Sequence, residues 1–472
     1  MMQRHHFVRS SRRSFRAWLG AIALAAVVAA PVGGVLDVSP APVQAADGLG
    51  AGGEYHPLAP ARIYDSRSVS PVNEAAPGPK PATPAQPTFD IGLLGLGGIP
   101  ANPDDVLAVV VNITVTEPTA GGWLNAYGSG AGSSGLASIV NFAAGQTVPN
   151  LAIVRPGANG KLTVKLFTQS ASATAHVIVD VFGWFSTSGF VEASPTDAGA
   201  RLIPIEPGRI LDTRDGGGPL GQAGRRTITI RGATLKTGQQ LPAGADVVGV
   251  VLNVTGINTE SSSTGTFLSV VPELAAGAAP GTSNVNLARG QIKPNMVIVP
   301  VNPADGSVTI FNHAGAAHVA VDVAGYLTTT APGERAGRVV PLTAPYRVFD
   351  TREAQWGAVA LGPGQAEDWS FADFVASVKI DGVHVGAQSA VIGNLTSAEL
   401  KRQFAATPVS SYLTVYPAGQ ARPESSNLNT TEGTPVPNLA IMKYGADATV
   451  RVFNLNGFTH YLYDASAVVL AD

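Results

Sequence analysis

The chain has 472 residues, with 30 Lys and Arg against 33 Asp and Glu, so its formal net charge is −3 and charged residues make up only 13%. This sparse, slightly acidic charge argues against a nucleic-acid partner, because phosphate binding needs a basic surface. The absence of cysteine excludes disulfides, thiol catalysis and thiolate metal sites. A hydrophobic content of 45% beside 54 Gly and 35 Pro indicates a folded, turn-rich protein.

Residues 1–46 have the pattern of a signal peptide. Several arginines precede an apolar run over residues 17–32, and Val43 and Ala45 are small residues at the −3 and −1 positions of a cleavage site. The segment 11–15 also resembles a twin-arginine signal, so the leader is compatible with either export route. An uncleaved anchor is the alternative, which the short apolar run disfavours.

No later stretch is long and apolar enough to cross a bilayer. We therefore expect no membrane contact after removal of the signal, and a protein that is secreted, extracellular or associated with the cell wall.

A sequence unit of roughly 142 residues is repeated three times, which is the length of a domain. Its first mark is Pro-x-Arg-x-x-Asp-[Ser/Thr]-Arg, over residues 60–67, 207–214 and 345–352. Its second is Asn-x-Thr, beginning at Asn112, Asn253 and Asn394. A Ser-x-x-Asn and a Pro-Asn follow, and a His-x-x-x-Asp closes each unit.

In chain order, each unit reads as a series of short strands bounded by Gly, Pro, Asn and Asp. Residues 106–111, 247–252 and 390–392 are predicted central strands, followed by strands over 123–127, 267–271 and 412–416. Asn159-Gly160 and Asp305-Gly306 then predict hairpins that join 151–154 to 162–166 and 296–301 to 308–310. The main helical candidate is 397–404.

About eight or nine strands per unit predict an all-β fold: three tandem antiparallel β-sandwich, jelly-roll-like domains after the signal peptide. We place these domains at residues 47–187, 200–328 and 338–472, with small polar linkers between them. The proline-rich segment 71–87 is predicted to be a long loop within the first domain.

The Asp-[Ser/Thr]-Arg signature supports either a half-buried ion pair or a ligand site. We prefer the structural interpretation, because partly buried charges are usually paired, and we expect the aspartates of the closing mark to be the partners of these arginines. The predicted polar network comprises Asp65, Arg67, Asp180, Asp212, Arg214, Asp322, Asp350, Arg352 and Asp464.

His176 and Asp180 suggest a catalytic or metal-binding pair, but four residues on a strand span roughly 13 Å, too far to share a proton or a metal. We therefore assign structural roles to both. The asparagines of the Asn-x-Thr and Pro-Asn marks are expected to satisfy backbone groups of loops.

One predicted strand in each unit carries aromatic residues at alternate positions. If its face is exposed, these rings form a platform for sugar binding, and if it is buried they belong to the core, which is the commoner case. The candidate ligand-binding residues are Trp123, Tyr127, Phe267, Tyr412 and Tyr416.

No serine-hydrolase, zinc-protease, phosphate-loop or calcium-loop motif occurs in the chain. The sequence thus offers no catalytic residue, metal site or cofactor to propose, and we expect a protein that is not an enzyme.

Taken together, the marks resemble a repeat found in many exported actinobacterial proteins, often in tandem, and the resemblance covers nearly all of residues 55–470. That group is largely uncharacterised and is presumed to act at the cell surface. The third copy departs from the pattern, with Ala467-Val468 where the first two have Gly-[Trp/Tyr], and the first copy has Ile139 where the others have Asn.

Three functions remain as hypotheses. The first is a non-catalytic binding protein that contacts cell-wall or environmental polysaccharide at several equivalent sites, since tandem weak sites gain avidity. The second is a structural surface or adhesion protein that packs against itself or other surface proteins, which the mean hydropathy of +0.18 also suits. The third is a wall-polysaccharide hydrolase, which would need a cleft lined by carboxylates.

Overall fold

The computed structural model describes residues 48–67, 78–81, 88–131, 137–168, 170–191, 199–258, 265–380, 382–402, 409–433 and 435–472. The predicted signal peptide lies outside the described residues, as does most of the predicted loop over 71–87. Strands dominate the described chain, because its short β-branched and aromatic runs are bounded by turn residues.

Repeat 1 contributes two main sheets. Its inner sheet has the order β1-β9-β4-β7, with the short β2 also paired to β9, and its outer sheet has the order β3-β8-β5-β6. The strands are β1 (Tyr55–Asp65), β2 (Lys80–Pro81), β3 (Thr88–Gly92), β4 (Val106–Thr116), β5 (Gly122–Gly128), β6 (Val140–Phe142), β7 (Val148–Val154), β8 (Lys161–Thr168) and β9 (Thr174–Ser186).

Repeat 2 has the same plan, with an inner sheet β10-β17-β12-β15 and an outer sheet β11-β16-β13-β14. The strands are β10 (Arg201–Asp212), β11 (Arg225–Thr229), β12 (Val247–Asn258), β13 (Thr266–Val271), β14 (Val285–Leu287), β15 (Ile292–Pro300), β16 (Ser307–Asn312) and β17 (Ala317–Thr328).

Repeat 3 repeats the plan again, with an inner sheet β18-β27-β22-β25 and an outer sheet β19-β26-β23-β24, and adds a small two-stranded sheet and a helix. The elements are β18 (Val339–Asp350), β19 (Ala366–Ser370), α1 (Ala372–Ser377), β20 (Lys379–Ile380), β21 (Val383–His384), β22 (Gln388–Lys401), β23 (Ser410–Pro417), β24 (Leu428–Thr431), β25 (Val436–Lys443), β26 (Thr449–Asn454) and β27 (Phe458–Leu470).

Two local predictions are wrong. The predicted hairpins do not form, because β7 and β8 belong to different sheets of repeat 1, and β15 and β16 to different sheets of repeat 2. The predicted helix over 397–404 is also wrong within the described residues, since β22 continues to Lys401. The helix of repeat 3 lies earlier, at Ala372–Ser377.

The inner sheets are buried on both faces. In β4, Val109 and Val111 belong to a core between the two sheets of repeat 1. The alternate residues Ala108 and Val110 belong to a central core, to which Val251 of repeat 2 and other residues of all three repeats also contribute. Successive side chains on a strand point to opposite faces, so each inner strand serves both cores.

This shared core overturns the predicted fold class. The chain is all-β, but its six main sheets do not form three separate tandem antiparallel β-sandwich, jelly-roll-like domains, because the three inner sheets share one central core. The physical reason is that each inner sheet has a second apolar face, which points away from its own outer sheet. This face would be unfavourable in water, and residues of the other two repeats cover it.

Backbone contacts near the starts of β1, β10 and β18 join the three repeats. Bridges join Gly53 to Val339 and Tyr55 to Ala200, and the Leu202 amide donates to the carbonyl of Gly337. The three repeats therefore contact each other in a cycle, 1 to 2, 2 to 3 and 3 to 1.

Candidate ligand grooves at the junctions between repeats

The recurring asparagines join the repeats. The Nδ2 of Asn295 in repeat 2 donates to Oδ1 of Asn112 in repeat 1 over 3.0 Å, and its Oδ1 accepts from the backbone N of Leu151 over 3.2 Å. The same Nδ2 also donates to the carbonyl of Asn284 in its own repeat. Because Leu151 lies on the edge strand β7, this amide satisfies a backbone donor that no neighbouring strand can reach.

The other two junctions use equivalent bonds. Asn438 of repeat 3 donates to Asn253 over 2.8 Å and accepts from the backbone N of Met296 over 3.1 Å. Asn150 of repeat 1 donates to Asn394 over 2.9 Å and accepts from the backbone N of Leu439 over 3.0 Å, which closes the ring.

The Asn-x-Thr asparagines also reach across the junctions. The Nδ2 of Asn112 donates to the carbonyl of Ser283 over 3.1 Å, and Asn253 and Asn394 donate to the equivalent serine carbonyls. The prediction that these side chains satisfy loop backbone groups is confirmed, but the loops belong to the neighbouring repeat.

The Asp-[Ser/Thr]-Arg signatures form one ion-pair cluster in each repeat. In repeat 2, Arg214 donates twice to Asp212, over 2.9 and 2.6 Å. Arg209, the first arginine of the same mark, bonds both Asp212 and Asp322 over 2.6 Å. The equivalent pairs are Arg67–Asp65, Arg62–Asp180, Arg352–Asp350 and Arg347–Asp464.

The prediction that the arginine of each Asp-[Ser/Thr]-Arg signature pairs with the closing aspartate is therefore wrong. Asp180 lies directly opposite Arg62 in the register of β1 with β9, whereas Arg67 lies beyond the end of β1 and folds back onto Asp65. In repeat 2 the cluster also contacts repeat 3, because the backbone N of Ser426 donates to Asp322 over 3.3 Å.

Burial and hydrogen bonding act in opposite directions on these carboxyl groups. Burial opposes ionisation of Asp212, but hydrogen bonds and charge from Arg214 and Arg209 outweigh it and lower its pKa to about 2. The pKa values of Asp65 and Asp350 are lowered in the same way. For Asp322, which is almost fully buried, desolvation prevails and the pKa is raised.

The closing histidines bond the hydroxyl residue of the first mark. His176 Nδ1 lies 3.0 Å from Ser66 Oγ, and the pairs His318–Thr213 and His460–Thr351 are equivalent. The same hydroxyls accept from the backbone N of the residue after each histidine, for example Val177. These contacts join the end of the first strand of each repeat to the last strand of the same repeat.

The five candidate aromatic residues lie in different environments. Tyr127 and Tyr416 are buried and do not contribute to an exposed platform. Trp123 is half-buried and stacks on Phe167, with ring centroids 5.2 Å apart. The remaining two, Phe267 and Tyr412, are half-buried and line grooves between repeats.

Groove A lies between repeats 1 and 2 and has a volume of about 570 Å³. One wall is the loop from Ala144 to Thr147, and the other includes Phe267, stacked on His313 at 4.4 Å between ring centroids. Asn286, the cross-strand partner of Phe267, also lines the groove.

Groove B is the corresponding site between repeats 2 and 3, with a contribution from repeat 1 and a volume of about 550 Å³. Tyr412 and its cross-strand partner Asn429 stand where groove A has Phe267 and Asn286. Both volumes fall in the range of small-molecule sites. The two grooves share Gln146, Ala288, Gln291 and Lys293, so they form one continuous surface.

Lys293 is the polar residue that sequence reasoning missed. Its Nζ donates to the carbonyl of Thr147 in repeat 1 over 3.1 Å, and burial lowers its pKa to about 8. The signal for it was present, because Lys293 precedes a Pro-Asn mark where the other repeats have Val148 and Val436.

One cavity at the junction of repeats 3 and 1 is smaller, with a volume of about 40 Å³, and is lined by Tyr127, Asn394 and Asp464 among others. That volume suits only water molecules. Within the described ranges, no group of His, Asp or Glu side chains could hold a metal ion, and no helix among the described residues is long and apolar enough for a membrane span.

Comparison with known proteins does not show a family for the chain. No protein-family model matches it, and no curated protein matches it. Among solved structures, one similar chain is the N-terminal CBM22-1-CBM22-2 tandem domain of Xyn10C from Paenibacillus barcinonensis, at 13% identity, covering 52% of this chain and 83% of that one. Another is from a structure described as the triple jelly roll fold and turret assembly in an archaeal virus, at 10% identity, covering 89% and 91%. Both TM-scores are 0.15, so neither likeness carries an argument about fold or function.

Proposed function

We propose that this protein is a secreted, non-catalytic binding protein that contacts cell-wall or environmental polysaccharide through grooves A and B. The observation that supports this most is the pairing, in each groove, of a half-buried aromatic ring with a neighbouring asparagine. A ring face offers apolar contact to a sugar, and amide groups offer both donors and acceptors to its hydroxyls.

The arrangement of the grooves also favours a polymer. Because they share four lining residues and belong to one assembly, two units of one glycan chain can be bound without reordering the protein. Fixed adjacent sites raise the effective concentration of the second unit.

The residues that line the two grooves include no aspartate or glutamate. Glycoside hydrolysis generally needs a pair of carboxyl groups flanking the bond, so the hydrolase hypothesis lacks support at these grooves.

Secretion is proposed from the leader pattern of residues 1–46.

Co-sedimentation of the mature chain with purified cell walls and insoluble polysaccharides tests the proposal. Phe267→Ala and Tyr412→Ala should each weaken retention about two- to twelvefold, since an aromatic contact contributes about 0.5–1.5 kcal/mol. Phe458→Ala is the matched control, because Phe458 is 38% exposed and lines neither groove. Full retention of the double variant, or no retention of the parent chain, would contradict the proposal.

The second candidate function is a structural surface protein that acts through protein packing. It is favoured by the asparagine bonds, since the recurring Asn-x-Thr and Pro-Asn marks act in joining repeats. Self-association of the full chain, together with no retention on any glycan, would select this alternative.

A further inference from the structure

Lys293 is the second residue of β15 and lies where grooves A and B meet. Its side chain is half-buried, and its Nζ donates to a neutral backbone carbonyl, that of Thr147. Since Val148 and Val436 occupy the equivalent positions, a charge is not needed there for the strand to fold.

A half-buried ammonium group normally has an anionic partner. The ion pairs of the described residues do not include Lys293, and no carboxylate lines either groove. Groove B is also lined by Arg289, which is exposed and takes part in none of the described ion pairs. Arg214 lines it as well, but its charge is paired with that of Asp212. This surface is therefore basic, although the whole chain has a net charge of −3.

We propose that grooves A and B bind an acidic glycan, one whose sugar units carry a carboxylate or a phosphate, with the anionic group bound by Lys293. The inference rests on the proposed function and specifies its ligand class. An anion at Lys293 would supply the missing charge-assisted hydrogen bond, which is stronger than one to a neutral carbonyl.

The surroundings of Lys293 favour a charged sugar over a free small anion. Gln146 and Gln291 line both grooves beside the lysine, and Phe267 and Tyr412 stand in groove A and groove B, respectively. A sugar acid presents a ring for the aromatic face, hydroxyls for the amides and an anion for the ammonium group, whereas a free phosphate presents only the last.

The test compares the mature chain with Lys293→Val, which installs the residue of the other two repeats. Lys161→Val is the matched control, because it removes the same charge from an exposed strand position outside both grooves. The probes are polygalacturonate for the carboxylate, a glycerol-phosphate polymer for the phosphate and dextran as a neutral glycan, each measured by calorimetry at fixed salt.

We expect the parent chain to bind at least one acidic polymer at pH 6.5 and Lys293→Val to bind it at least tenfold more weakly, with Lys161→Val unchanged. The acidic polymer that binds identifies the anion. Affinity should also fall between pH 7 and 9 as the lysine loses its proton, and Lys293→Val should lack this fall.

Equal affinity of the parent chain and Lys293→Val, or binding of dextran as tight as that of the acidic polymers, would overturn this inference and leave the proposed function standing. No binding of any of the polymers would overturn the inference, and no retention on cell walls or insoluble polysaccharides in the first assay would overturn the proposed function. The melting temperature of Lys293→Val should equal or exceed that of the parent chain at pH 7, so lost binding cannot be assigned to unfolding.

Discussion

Asn150→Ala should cost much more stability than a change of one amide usually does. Asn150 is 1% exposed and lies on β7 of repeat 1, but two of its three bonds are to repeat 3. Its Nδ2 donates to the carbonyl of Ile139 over 2.7 Å and to Asn394 Oδ1 over 2.9 Å, and its Oδ1 accepts from the backbone N of Leu439.

The magnitude follows from the groups that lose their partner. Alanine leaves the Ile139 carbonyl, the Asn394 oxygen and the Leu439 N–H without this side chain, and each unsatisfied buried group costs about 1–3 kcal/mol. We expect a loss of about 3–5 kcal/mol in the free energy of unfolding, compared with about 5–15 kcal/mol for the whole stability of an ordinary protein. Asn150→Asp should be at least as severe at neutral pH, because a carboxylate cannot donate to the Ile139 carbonyl or to Asn394.

Urea unfolding followed by tryptophan fluorescence measures this loss and also shows where it acts. Trp123 and Trp184 report on repeat 1, whereas Trp356 and Trp369 report on repeat 3, so both sides of the affected junction are observed. Asn456→Ala is the control, since its side chain is exposed and donates to the nearby Ser410 carbonyl, its one side-chain bond among the described residues. A loss for Asn150→Ala no larger than that of the control would refute the idea that the asparagine bonds hold the repeats together.

Two further predictions concern the ion-pair clusters and the shared core. Because Arg214 and Arg209 lower the pKa of Asp212 to about 2, the stability this group contributes is fully present above the unfolded pKa of about 3.9 and is lost as the pH falls through 2. Thermal unfolding of Asp212→Asn should therefore show about 2–3 kcal/mol less stability at pH 7 and a shallower decline between pH 4 and 2, and parallel pH profiles would contradict this. An isolated repeat 2, residues 200–328, would expose Met296 and Ile298 of the central core. We expect it to form trimers, because three similar repeats already close a ring through head-to-tail contacts and three identical copies of repeat 2 can make the same contacts. Light scattering checks this, and a stable monomer would show that the central core is dispensable.

The sequence by itself determined the strands and their threefold repetition. Alternating and continuous apolar runs specify extended backbone locally, and the repeated marks show that each copy uses the same plan. It also singled out Phe267 and Tyr412 among five aromatic candidates, but it did not separate them from Tyr127 and Tyr416, which are buried.

Only the tertiary structure decided how the sheets are combined. Asn159-Gly160 specifies a tight turn, but a turn does not determine which sheet receives the next strand, so the predicted hairpin was wrong. Likewise, the run around Val109 and Val110 predicts a strand buried on both faces without saying that the second face is covered by the other repeats.

The candidate site was hidden for the same reason. Lys293 and the Thr147 carbonyl that it contacts belong to different repeats, as do Asn295 and Asn112. A local sequence pattern cannot show contacts between residues so far apart in the chain. Local residues specify backbone conformation, whereas the grooves arise from the association of three apolar sheet faces, and that association depends on the whole chain at once.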